Sequence, residues 1–319
     1  MSIHFGKLYG FVMGMSLLFI VLAVGAPAIL GAFSLGIFIL GMVCTGIPHG
    51  ATDHVIFSYK EKAAGREVSI TRFLMLYLMG MAIYSLFWYV FPLMSLLIFL
   101  LISAYHFGQS QFTYLDLAEN HPFKFVMYMC WGLWVLAAII FLNPEESQEI
   151  LSGLALAELS SIFELRFEIL LVLSLAVIGL LISGYFLKFF TLKALAFEFL
   201  NLIVLATVSL VGGLLISFTV YFALWHSLSS INWEIKVFKL EQAQFNWKDF
   251  VKHAWPFSLI SFIGIALLLA AGSFLSTLIS PFLLFFIAIS VLTLPHMVYM
   301  QQFYSLKEGK FPMTEVSKA

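Results

Sequence analysis

Ten long apolar runs, several of them separated by little more than a helix breaker, constrain this chain more than any other feature. A helix crossing a bilayer needs ~20 mainly apolar residues, because lipid offers nothing to satisfy backbone N–H and C=O groups. Such runs read at roughly 8–26, 28–47, 72–91, 92–109, 123–142, 168–188, 191–211, 214–231, 255–279 and 281–303. The first resembles a secretory signal, with Lys7 ahead of it, but it is longer than a 7–15-residue signal core and another run follows at once. The predicted fold is therefore all-α: a polytopic membrane helix bundle of about ten (eight to ten) transmembrane helices, with residues 1–319 forming a single integral-membrane domain. Only 10% of residues are charged, against about 25% in soluble domains, too few to cover a water-facing surface. A formal charge of −1 excludes a basic nucleic-acid binder. Cys44 and Cys130 both sit inside apolar runs, which suits packing rather than a disulfide framework or a thiolate metal site.

The connections fix an expected orientation. Spans one and two, three and four, seven and eight, and nine and ten meet at Pro27, Pro92, Gly212-Gly213 and Pro281, each permitting a tight turn. Of the sixteen Lys and Arg residues, fifteen fall at the N-terminus (Lys7), in the loops after even-numbered spans or in the C-terminal tail (Lys307, Lys310 and Lys318). Arg166 alone lies opposite, in an acidic amphipathic connector over 143–167. The positive-inside rule then places both termini and the basic loops in the cytoplasm, as expected for a multi-pass protein of the cell (inner) membrane.

Of eight histidines, His4, His121 and His253 lie in terminal or loop sequence and read as solvated or interfacial side chains. The other five fall in four clusters: Pro48-His49-Gly50-Ala51-Thr52-Asp53-His54, Tyr105-His106-Phe107-Gly108-Gln109, Trp225-His226-Ser227 and Pro295-His296-Met297. Each cluster lies near the C-terminal end of an even-numbered span, so all four share a similar depth near the predicted cytoplasmic face. Ionisable residues inside a span mark functional sites by default, and neutral imidazole is the commonest metal ligand. The competing reading, imidazoles as hydrogen-bonding glue between helices, explains one such residue better than four at one depth.

Spacing adds detail. Asp53, four residues after His49, shares its face on a continuing helix and suits the acceptor for a ligand's free N–H, or else the cap of a helix restarting after Pro48. His54 is turned away from His49 on that helix. Gln109, three residues after His106, is placed either to orient bound water or dioxygen or merely to sit at an interface. Glu198 and Asn201 share a face of the seventh span, where an acid needs a partner and a histidine is one candidate.

In these clusters the sequence resembles the Brp/Blh family of membrane β-carotene 15,15′-dioxygenases. The likeness rests on Pro48-His49-Gly50-Ala51-x-Asp53-His54, His106-Phe107-Gly108, Trp225-His226-Ser227 and Thr293-x-Pro295-His296-Met297, in that order over about residues 40–303. The resemblance implies a non-haem iron dioxygenase that uses Fe(2+) and O2 to split the central double bond of β-carotene into two retinal molecules, typically for a rhodopsin. It implies His49, His106 and His226 as iron ligands. In the family a further histidine often follows the third cluster by four residues; here that position is Ser230, so His296 is the replacement candidate, with His54 second. The same departure leaves an altered carotenoid substrate as an alternative.

The residues themselves are compatible with that chemistry. Imidazoles leave open coordination positions for O2 on Fe(II), and an uncharged polyene requires no Lys or Arg. Tyr105, Phe107, Trp225 and Met297 are substrate-contact candidates because they neighbour the histidines. A carotenoid is about as long as the hydrocarbon core is thick, roughly 30 Å, which predicts an oblique or transverse tunnel entered from lipid. A bis-histidine haem protein and a metal or solute transporter are the alternatives. A retinal-binding receptor is disfavoured, since a Schiff base needs a lysine within a span and every lysine here falls in a connection or at a span end.

Overall fold

The computed structural model describes residues 6–115, 117–118, 121–154, 158–275 and 280–304, and among them all regular structure is helical. His4, Lys307, Lys310 and Lys318 lie outside the described residues, as do 276–279 at the end of the ninth predicted span. Ten helices are long and apolar enough to cross a membrane: α1 (Lys7–Gly25), α2 (Pro27–Lys62), α3 (Ile70–Val90), α4 (Pro92–Gln111), α5 (Pro122–Phe141), α6 (Arg166–Phe186), α7 (Leu192–Val211), α8 (Gly213–Lys239), α9 (Trp247–Gly272) and α10 (Pro281–Gln301). Four open on a proline, where the missing N–H costs nothing and φ is already helical. Gly213 turns the chain from α7 into α8 at φ +76, a backbone that a side chain would strain.

Two helices outrun the lengths read from hydropathy. The run at 28–47 continues as α2 to Lys62, and the run at 214–231 continues as α8 to Lys239. Beyond their histidines both lose apolarity but keep helical bonding, and in α2 the closing turn carries Lys60 and Lys62, which complement the helix dipole.

Both helices are also broken. In α2 a π-helical stretch, Met42–Gly46, leads into a short helix, Ile47–Gly50, and the chain turns at Ala51–Thr52 before Asp53–Ala63. Pro48 has no N–H to give the ladder, so one bond is lost within this region. In α8 the π-helical stretch is Thr219–Ser227. The Thr45 hydroxyl lies 2.9 Å from the Ala223 carbonyl and 3.0 Å from that of Gly41, so a side chain of α2 enters the ladder of α8. Gly41 permits the approach: a Cβ there would stand 2.7 Å from Thr219 Cγ2.

The α4–α5 pair packs closer still. A Cβ on Gly108 would collide with the Tyr128 backbone, and one on Gly132 with the backbone of Ala104. Small residues at such crossings let membrane helices approach, where lipid supplies no hydrophobic drive. Trp131 and Met127 are fully buried on α5 nearby. Outward-facing Val21, Phe33, Tyr89 and Leu210 are well exposed, a surface suited to lipid. Cys130 packs against the main core, whereas Cys44 is exposed, which differs from the packing role expected for both.

Candidate metal centre

Four buried imidazoles meet, His106 and His296 near the C-terminal ends of α4 and α10, and His49 and His226 well inside α2 and α8, which run on past them. Ring centres lie 5.1 Å apart for His49–His226, 4.9 Å for His226–His106, 5.5 Å for His106–His296 and 4.7 Å for His296–His49. One ligand nitrogen from each of His49, His106 and His226 lies within 4.8 Å of the others. His296 stands beside this triad.

Hydrogen bonds outside the ring decide which nitrogen faces inward. His49 Nδ1 donates to the Gly46 carbonyl at 2.5 Å, because a carbonyl only accepts. His296 Nδ1 donates to Asp53 Oδ1 at 2.8 Å. His226 Nδ1 pairs with Ser110 Oγ at 3.2 Å. Four of the remaining five nitrogens are orphans: His226 Nε2, His296 Nε2 and both nitrogens of His106 are buried with no partner. Buried polar atoms rarely stay unsatisfied. Orphaned nitrogens on His106, His226 and His296, two of these rings converging with His49 as a triad, fit a bound metal ion better than packing glue.

Asp53 does the expected work for an unexpected ring. It holds His296 rather than His49, because the turn at Ala51–Thr52 breaks the four-residue face that would have aligned it with His49. Its other oxygen accepts from the Tyr77 hydroxyl at 3.1 Å. His54 is left outside the ring: it stacks on Phe257 at 4.4 Å and its ring centre lies 5.9 Å from that of His253. Gln109 is buried and its Oε1 has no partner.

Glu198 finds its partners away from the histidines. It accepts from Gln111 Nε2 (2.8 Å), Tyr114 OH (2.7 Å) and Asn201 Nδ2 (3.1 Å), and Asn201 in turn accepts from Tyr9. Burial and the neighbouring Glu198 carboxyl hold the Tyr114 phenol well above its usual range, so it remains a donor. Glu198 thereby ties α1, α4 and α7 together, and the expectation that it reaches a histidine gives way to that network.

The sequence reading missed Ser110, Tyr304, Thr52 and Tyr77. Ser230 and Tyr304 share a hydrogen bond of 3.1 Å, and Tyr304 also bonds Ser110, the partner of His226. Burial raises the Tyr304 phenol, which stays protonated. Ser110 was within reach of the sequence, lying four residues after His106 on the same face; Tyr304 was not, being 74 residues from Ser230.

A cavity of about 760 Å³ opens beside the ring, touching His49, Asp53, Tyr77 and His296 but neither His106 nor His226. Its lining comes from α2, α3, α9 and α10 with Phe222 of α8, and on α3 it runs from Phe73 to Ser85, about 18 Å at 1.5 Å per residue. Leu78, Ile260 and Leu268 in the lining are exposed, so it opens sideways on the lipid-facing surface. An opening on that side is what the expected entry from lipid requires. The four aromatic and Met candidates do not line it. Trp225 turns to α1 and donates to Ser16 at 2.9 Å, Tyr105 packs on Phe125 and Tyr128, Phe107 lies 4.8 Å from the His226 ring, and Met297 accepts from Ser103. Sequence neighbours of a helical ligand point to other faces, which is why these four lie off the cavity.

Residues 40–304 match the family described as β-carotene 15,15′-dioxygenase. The chain belongs to that family. A relative within it, the β-carotene 15,15′-dioxygenase of Uncultured marine bacterium 66A03, is 29% identical over 270 residues, covering 81% of this chain and 89% of its own length. No solved structure matches the chain. The matched stretch of the dioxygenase family takes in all four converging imidazoles and the whole of the cavity lining.

Proposed function

We propose that the chain is a non-haem iron oxygenase that cleaves the central 15,15′ double bond of β-carotene with O2 to give two molecules of retinal. The observation that carries this reading is the convergence of His49, His106 and His226 around unpartnered buried nitrogens, with His296 alongside, in a chain of this family. Imidazole suits Fe, Zn, Cu and Ni alike; dioxygen chemistry favours iron, which when bound supplies the electrons that activate O2.

The chain's own residues do the rest. The Gly46 carbonyl and Asp53 fix the tautomers of His49 and His296 and turn each Nε2 inward. Each aldehyde product takes one oxygen atom, so the reaction needs no net proton and no external reductant. The cavity is accordingly apolar, lined by groups such as Phe73, Met81, Ile265 and Leu284, and its one carboxylate, Asp53, is engaged by His296 and Tyr77. Such walls hold a polyene by dispersion and keep water out. About 18 Å of lining exceeds half a carotenoid of roughly 30 Å. One arm therefore lies along α3 and α9, and the other leaves through the lipid-facing opening. The histidines sit toward the cytoplasmic leaflet of the cell membrane, with both termini inside and retinal released to lipid for a partner such as a rhodopsin.

The test is expression in a β-carotene-producing bacterium, following pigment loss and retinal by chromatography, with iron analysis of the purified protein. Retinal accumulation with roughly stoichiometric iron and no Soret band is expected. Intact pigment with the wild-type chain would overturn the activity, and a strong Soret band would favour haem.

A further inference from the structure

Glu234 is fully buried on α8, two turns beyond His226, and nothing described so far uses it. A carboxyl group inside a span requires a reason. Its Oε2 accepts from Thr52 Oγ1 at 2.5 Å, while Oε1 is buried without a partner.

Thr52 is the point at which α2 turns. His49 lies three residues before it, and Asp53, which holds His296, follows immediately. The Thr52 hydroxyl also lies 3.3 Å from the His49 carbonyl. The helix that restarts at Asp53 has no side-chain cap, and Thr52 itself sits at φ −96, ψ 6, outside the helical region. No side-chain cap within α2 therefore fixes the angle between its two parts. The bond to Glu234 does so from outside, and it comes from the same helix that carries His226.

We propose that Glu234 is a positioning residue for the metal centre: by holding Thr52 it sets the turn in α2 and so registers His49 and the Asp53–His296 pair against His226. The inference rests on the reading that these histidines hold a metal. It assigns no contact between Glu234 and the metal. What matters is an acceptor at Oε2, so Gln at this position preserves the function and an apolar residue does not.

The experiment titrates the full-length, metal-free protein in lipid nanodiscs with Fe(II) without oxygen, and with Co(II), whose absorption bands report ligand geometry. Thr52→Val keeps the volume and removes only the hydroxyl. We expect it to weaken metal binding ~10–100-fold, the usual cost of losing an outer hydrogen-bonding partner, and to alter the Co(II) bands. Thr52→Ser and Glu234→Gln should stay within about threefold of wild type. Glu234→Leu should match Thr52→Val, and the double variant should be no weaker than the worse single, since both remove one interaction. Wild-type affinity and spectrum in Thr52→Val, or additive losses in the double variant, would overturn the proposal. Should the wild-type protein bind neither ion, the metal reading itself falls and takes this inference with it; a wild-type protein that binds while Thr52→Val is unaffected overturns the inference alone.

Discussion

The four histidines arrive on two kinds of helix. His49 and His226 come from α2 and α8, which break into π-helical stretches just before or at the ligand and lock together through Thr45 and Ala223. His106 and His296 come from α4 and α10, whose helical bonding continues past the ligand. In α10 this holds even with Pro295 beside the ligand. A regular helix sets ring direction by its 100° steps and can be adjusted only by moving the whole rod. A widened turn re-aims one side chain while leaving the rest of the span in place, which is why such turns recur at functional sites. One pair supplies adjustable aim, the other a fixed frame.

That contrast can be broken at several points. The largest effect is expected from the rings themselves: His49→Ala, His106→Ala and His226→Ala should each lower retinal formation at least ~100-fold in the pigment assay, with iron content falling in parallel. His54→Ala, whose ring stacks on Phe257, should keep nearly full activity; a large loss there would return His54 to the centre. Next comes the rigid frame. Gly108→Val drives a side chain into the Tyr128 backbone, so monodisperse protein in size-exclusion chromatography should nearly vanish. Gly46→Ala in the broken helix meets the flexible end of Met42, 2.7 Å away at Cε, and the edge of the Phe222 ring at 3.2 Å but no backbone, and should keep most of the wild-type yield. Equal yields for the two variants would erase the distinction between frame and aim. Asp53→Asn should weaken iron binding by ~10–100-fold while sparing yield, read by anaerobic titration. Smallest is Trp225→Phe, which loses the bond to Ser16 and about 1 kcal/mol of stability, seen as a small drop in Tm with retinal formation unchanged.

Hydropathy made the spans legible, because twenty apolar residues have few other uses, and the prolines at 27, 92 and 281 marked helix starts to within a residue. The shared depth of the four His clusters was legible too, since even-numbered spans all end on one side. The breaks were not. A π-helical stretch leaves no periodic mark in apolar sequence, so α2 and α8 read as plain spans that stop early. Partner choice was hidden for a different reason: Asp53 and His296 are 243 positions apart, and Glu198 meets Tyr114 across 84. One strand of sequence shows that a buried acid needs a donor but not which helix brings it. The four residues picked as substrate contacts lie off the cavity, because neighbours along a helix face different ways.

The cavity meets the centre through His49 and His296, on α2 and α10, while the part of its wall made by α3 and α9 carries no histidine. Part of the fit is thus carried by rods that supply no ligand to the chemistry. Mutational drift at Leu74, Leu78, Ser85, Ile260 or Ser261 can reshape the groove without disturbing a single imidazole, giving the scaffold freedom to explore longer, shorter or decorated polyenes around an unchanged reactive heart.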